Sequence, residues 1–142
     1  MSIEAIEQEI IEEFSNFDDW MDKYSYIIEI GNSCPIIEEK EKTENNLIKG
    51  CQSRVWVSAK LDENGLMQIT ADSDAVITKG IITLLLRVFN NQKPEDVYSA
   101  ELKFIDEIGL KSHLSPTRSN GLLSMIKQIK LYALAFSVKQ NQ

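Results

Sequence analysis

The sequence predicts an α+β fold, a small three-stranded antiparallel sheet covered by helices on one face. Three observations predict it. Two stretches with apolar residues at helical spacing open the chain; a period-two alternation broken by Asn64-Gly65 occupies its middle; helical spacing then returns and holds almost to the end. The expected order is ααβββααα. At 142 residues, with 43% hydrophobic and 26% charged side chains, one domain over 1–142 can bury most of its apolar surface without staples.

Ser2 is a natural N-cap, and Ile3, Ile6, Ile10 and Phe14 or Phe17 follow at helical spacing. Asp18 and Asp19 carry charge suited to the start of a second helix, with Trp20, Tyr24, Ile27 and Ile28 on its buried side and Gly31-Asn32 as its stop. The run "SCPIIEEKEKTENN", with Pro35 and mixed charges, predicts a solvated connection. Residues 46–49 are expected to form a short strand. Val55, Val57, Ala59 and Leu61 then alternate with Arg54, Trp56, Ser58 and Lys60, a strand with one buried face. Asp62-Glu63-Asn64-Gly65 is a hairpin turn, because Asn-Gly tolerates the positive φ that such turns need. Met67, Ile69 and Ala71 continue as the partner strand.

Asp72 or Ser73 is placed to cap the next helix, which is apolar almost all round over 75–89 and so expected to be central. Pro94 is read as ending that region, and 101–108 as a shorter helix closing at Gly109. In "LSPTRSNGLLSMIKQIKLYALAF", Ser115 caps and Pro116 takes the first helical position. Leu122, Met125, Ile126, Ile129, Ala133 and Phe136 form the buried stripe of this last helix.

The formal net charge is −7, unevenly spread: residues 1–22 hold eight acids and no Lys or Arg, and 108–142 hold five basic residues and no acid. An acidic chain without a basic stripe is a poor nucleic-acid binder, since phosphate neutralisation supplies most non-specific affinity. The asymmetry either orients a protein partner or reflects acidic and basic helices lying beside one another in one fold. The 75–89 stretch, the most apolar, is too short to span a bilayer and carries Lys79 and Arg87, so no membrane association is expected. The N-terminus carries acids where an export signal needs a basic segment and an apolar core. Two cysteines without metal-ligand spacing fit a reducing cytoplasm, the expected location.

Few residues here can do covalent chemistry. Cys34, Cys51 and the single histidine, His113, are too few and too scattered for a zinc site or a cluster scaffold. No glycine-rich phosphate loop follows a strand. Cys34 precedes Pro35 in a connection, with no nearby cation to favour its thiolate. Cys51 follows Gly50, which frees the backbone, and has Lys49 and Arg54 close by. A lone cysteine in such a place is either a small buried apolar residue or a nucleophile. A Cys51/His113 pair would make a thiol-dependent hydrolase or transferase. Arg118, in the first turn of a helix, opposes the macrodipole, which a purely stabilising role would not favour. Asp72 and Asp74 stabilise a helix start in any case, and Gln52 and Ser53 suit a turn.

"GCQSRVW" at 50–56, "DSDAVITKGI" at 72–81 and "HLSPTRSNGL" at 113–122 together resemble the SufE family, in its order and spacing, and the likeness extends over nearly the whole chain. The resemblance implies the SufE/IscU-like single-domain fold and a sulfur acceptor in Fe-S cluster assembly. It places the persulfide-accepting cysteine at Cys51 and, beside it, Arg118 as a second catalytic residue. Gly50, Gln52, Ser53 and Asp74 are its candidates for partner contact. Ala71 stands where the family often has glycine, and Cys34 matches no functional position. The implied donor is a PLP-dependent, SufS-like cysteine desulfurase, so PLP belongs to the partner and no cofactor or metal of its own is expected. The implied receiver is a SufBCD-like scaffold complex, and the chain itself is expected to be a monomer or weak homodimer. A helper that docks on a desulfurase without carrying sulfur is the remaining reading from the binding class.

Overall fold

The structure, a computed structural model, describes residues 1–140. Its helices are α1 (Ile3–Phe14), α2 (Trp20–Ile30), α3 (Val76–Phe89), α4 (Pro94–Ser99), α5 (Phe104–Glu107), α6 (Leu110–His113) and α7 (Pro116–Gln140), with strands β1 (Val55–Leu61) and β2 (Met67–Ser73) between α2 and α3. The fold is mixed helix and sheet, as expected, but the sheet has two strands and not three. β1 and β2 pair antiparallel from Val55 opposite Ser73 to Leu61 opposite Met67. The segment expected to supply a third strand makes one isolated bridge, Leu47 to Trp56, and one further bond from Ile48 N–H to the Val55 carbonyl, 2.8 Å. Gly50 at φ +86° turns the chain there, so pairing cannot continue. On the other edge Ile36 bridges Ala71 in parallel.

Local signals at the helix starts hold. The Ser2 hydroxyl accepts from Ala5 N–H at 3.1 Å, Asp19 accepts from Met21 and Asp22, and Ser115 accepts from Arg118 N–H at 3.3 Å. α3 begins differently from expectation: Ala75 occupies the cap position without a side-chain bond. Asp72 is instead bound to Lys42 (2.9 Å) and Lys79 (3.5 Å). Burial is the largest single influence and opposes its charge, but the Lys42 hydrogen bond, the Ser73 N–H and the charges of Lys42 and Lys79 together outweigh it and hold the carboxyl below the usual range. Lys42 also lies over the Trp56 ring, 5.2 Å from the centroid. The charged connection is therefore pinned to the sheet through Lys42, which charge alone did not reveal. Pro94 opens α4 at its first position and does not merely end what precedes it; the single helix expected over 101–108 is α5, with α6 following Gly109 at φ +79°.

The core is one cluster. Val55 and Val57 of β1 and Met67, Ile69 and Ala71 of β2 face α3, nearly all of whose residues are buried. Ile10 and Phe14 of α1, Ile27 of α2, and Leu122, Met125, Ile129 and Ala133 of α7 close around it. By length and composition α7 could also cross a membrane, over Pro116–Lys139 at mean hydropathy 1.2, with 28% of that window buried. Here its side chains tie it to the domain: the single Tyr132 hydroxyl proton is shared between Asn46 Oδ1 (2.6 Å) and the Val57 carbonyl (3.0 Å), and Lys130 bonds the Ala100 carbonyl. Among the described residues no salt bridge joins 1–22 to 108–140. The acids of α1 are used elsewhere: Glu9 and Glu13 pair with Arg87 of α3, and buried Glu7 accepts from Lys103 and Phe104 N–H at the start of α5.

α2 and α3 cross at Gly80. A Cβ there would lie 2.7 Å from the Ile27 carbonyl carbon and closer still to its oxygen, and Gly31 sits against the same backbone. No side chain fits without separating the helices. Gly80→Ala is expected to destabilise the protein by about 3 kcal/mol through overpacking, lowering the thermal midpoint by roughly 10 °C; thermal unfolding followed by circular dichroism measures it.

Candidate functional site

Cys51 lies in the loop between Gly50 and β1. Its thiol is partly buried and faces the Gly121 carbonyl of α7 at 3.7 Å. Beside it is a cavity of about 20 Å³, bounded by Cys51, Gln52 and Ser53 of the loop, Thr78 and Ile81 of α3, and Thr117, Arg118, Gly121 and Met125 of α7. That volume holds about one water-sized group. Three chain segments far apart in sequence thus meet at one thiol.

Two glycines make the approach possible. A Cβ on Gly121 would come 3.1 Å from the Cys51 sulfur, and one on Gly50 would come 3.1 Å from the Ser124 hydroxyl. The loop's far end is held by Asp74, in the turn before α3. Its carboxylate accepts from Arg54 N–H at 3.0 Å, and its own N–H donates to the Arg54 carbonyl at 3.3 Å. Asp74 is therefore a two-point clasp on the backbone that carries Cys51.

The electrostatics differ from a thiol activated in place. Burial pushes the Cys51 thiol up, with no neighbouring charge among the described residues opposing it. Arg118 lines the same cavity, and its Nη1 donates to Thr78 Oγ1 at 3.4 Å. Lys49 pairs with Glu44 on the surface, and Arg54 is exposed, its backbone being what the clasp uses. In this conformation the thiol is sheltered, and burial disfavours its thiolate.

The structure brings Cys51, Gln52, Ser53 and Arg118 to one cavity and places Gly50 and Asp74 at the two ends of the loop. It does not bring His113 to Cys51. The His113 ring stacks on Trp20 with centroids 4.4 Å apart, and its Nδ1 lies 2.8 Å from the Gly109 carbonyl. Cys34 is buried under Ala71, whose carbonyl its thiol approaches at 3.5 Å, and burial raises its pKa too. Among the described residues no three His, Cys, Asp or Glu side chains form a metal-binding group. Sequence reasoning missed Thr78 and Gly121. Both stand inside motifs that it quoted, but nothing local says that a helix interior faces a distant thiol.

The sequence model of a family described as "SufE: Fe-S metabolism associated domain" matches residues 8–133. Among solved structures, the solution structure of a hypothetical protein from Thermus thermophilus is similar in fold, with a TM-score of 0.77 at 18% identity, covering 94% of this chain and 96% of that one.

Two outcomes follow from the loop geometry. Gly121→Ala is expected to speed iodoacetamide alkylation of Cys51 roughly fivefold, equivalent to about 1 kcal/mol, because the methyl displaces the sulfur. The thermal midpoint should hold or rise, since alanine favours the helix by about 1 kcal/mol. Asp74→Ala is expected to accelerate hydrogen exchange across the 50–54 amides and alkylation at Cys51 by about fivefold, the loss of one net hydrogen bond of about 1 kcal/mol, while core amides keep their protection.

Proposed function

The chain belongs to the SufE family of Fe-S metabolism associated domains, and from that premise we propose that it is a sulfur acceptor: it takes a persulfide sulfur from a cysteine desulfurase onto Cys51 and passes it to an Fe-S cluster assembly scaffold. The observation that carries this reading is a thiol on a clasped loop, beside a cavity with room for about one more group and a guanidinium in its wall.

The chemistry is thiol exchange. The Cys51 thiolate attacks the outer sulfur of the desulfurase persulfide. A bond forms between Cys51 Sγ and that sulfur, the bond to the desulfurase cysteine breaks, and the desulfurase cysteinate leaves with the electron pair. No oxidant is needed, because the transferred sulfur arrives already in the persulfide oxidation state. The buried thiol is a poor nucleophile at rest, so attack waits on release of the loop, which returns Sγ to water and lowers its pKa. When the loop closes again, the added sulfur occupies the cavity beside Arg118, away from reductants. A second transfer, in the same sense, delivers it to the scaffold.

In this reading the chain is a carrier and activator and not a free-standing enzyme. The PLP that generates the sulfur belongs to the desulfurase, and the reaction takes place in the cytoplasm. In this reading Gln52 and Ser53, which border the cavity, meet the docked partner. His113, stacked on Trp20, supports no Cys–His hydrolase.

Incubation with a cysteine desulfurase, PLP and cysteine, followed by intact-mass measurement under non-reducing conditions, tests the proposal. One added sulfur is expected in the wild type and in Cys34→Ser, and none in Cys51→Ser. Unchanged mass in the wild type alongside a stimulated desulfurase would mean docking without carriage and would end the proposal.

A further inference from the structure

Thr78 stands out among the polar residues around the cavity. It lies in the first turn of α3, is 6% exposed, and is the one polar side chain there that is buried; Gln52 and Thr117 are exposed, and Cys51, Ser53 and Arg118 are intermediate. Its hydroxyl accepts from Arg118 Nη1 at 3.4 Å. A hydroxyl also carries a proton to donate, and among the described residues that proton has no acceptor. Thr83, on the same helix, shows the usual alternative: its hydroxyl donates to the carbonyl four residues back, that of Lys79, at 2.6 Å. Thr78 makes no such bond. Its oxygen is satisfied by Arg118, and its proton is left for whatever group enters the cavity that Thr78 lines.

The geometry points to Thr78 as a second donor, with Arg118, to a negatively charged sulfur carried on Cys51, and so to a positioning residue for the cargo. A sulfur bonded to Cys51 Sγ lies about 2.05 Å beyond it, and the space next to Cys51 is the cavity that Thr78 and Arg118 both line. The neutral thiol needs neither donor; it faces the Gly121 carbonyl. An anion one atom further out meets both. Thr78 orients the guanidinium by accepting from it and turns its own proton to the sulfur, so the pair acts as one receptor. The other charged groups around Cys51 are already committed or exposed: Lys49 to Glu44, Lys79 to Asp72, Asp74 to the Arg54 backbone, and the Arg54 side chain to solvent.

The inference rests on the sulfur-carrier reading for the identity of the anion, but its test does not need a desulfurase. Treating the Cys34→Ser protein with an aromatic disulfide forms a mixed disulfide on Cys51; hydrosulfide then displaces the aromatic thiolate and leaves the Cys51 persulfide. Alkylation of the outer sulfur from pH 5 to 9, followed by intact mass, gives its ionisation midpoint. Thr78→Val is expected to weaken ionisation about tenfold, the value of a hydrogen bond to a charged group, which is an upward shift of about one pH unit. Thr78→Ser should restore the wild-type midpoint, and thermal unfolding should be alike in all three. An unchanged midpoint in Thr78→Val, or a Thr78→Ser variant that behaves like Thr78→Val, would overturn the inference. A protein that passes this test yet takes no sulfur from a desulfurase would sink the carrier proposal and leave the anion site standing.

Discussion

The close crossing of α2 over α3 at Gly80 is the constraint from which the site follows. Backbone meets backbone there, Ile27 against Gly80 with Gly31 beside it, so α3 is fixed in depth and rotation at its N-terminal end. That end supplies the cavity floor at Thr78 and Ile81, and the turn before it supplies Asp74. The other end is held as firmly. Asn90 acts as a strand partner, accepting from Ile69 N–H at 2.7 Å and donating to the Ile69 carbonyl at 3.2 Å. A helix anchored at both ends and buried on nearly all sides has few alternative positions.

Against that rigid frame the Cys51 loop is lightly held. Two hydrogen bonds to Asp74, one at 3.0 Å and one at 3.3 Å, a weak sulfur contact to Gly121 and the packing of Cys51 on the edge of the core are its ties to the body. Each hydrogen bond contributes on the order of 1 kcal/mol, so in the proposed carrier role a docking partner needs only a modest free energy to release them. In that role, shelter and access would come from the same few contacts.

Much of the frame was legible in the sequence because its signals are local. Ser2, Asp19 and Ser115 cap where a short polar side chain must; Pro116 starts a helix; the alternation from Val55 onward gives the strand and its buried face. Other features depend on partners distant in the chain. Lys42 looks like one charge in a solvated run until Asp72 and Trp56 arrive from the sheet. Leu47 and Ile48 have the composition of a strand, but Gly50 leaves room for a single bridge. Cys51 and Arg118 were singled out through motifs, whereas the sheltered state of the thiol was not, because Lys49 and Arg54 are near it only in sequence. Thr78 and Gly121 carried no local sign of what they face.

α7 joins the site to the rest of the molecule as a single rod. Arg118, Gly121 and Met125 form one wall of the cavity, while Lys130 and Tyr132, three turns further on, are fastened to α4's end and to β1. Such a wall cannot swing aside without shearing the sheet. On the carrier proposal, a partner would therefore have to draw the thiol outward, as a drawer slides from a cabinet, and the distance that drawer travels would limit how deep the partner's own reactive atom can be recessed.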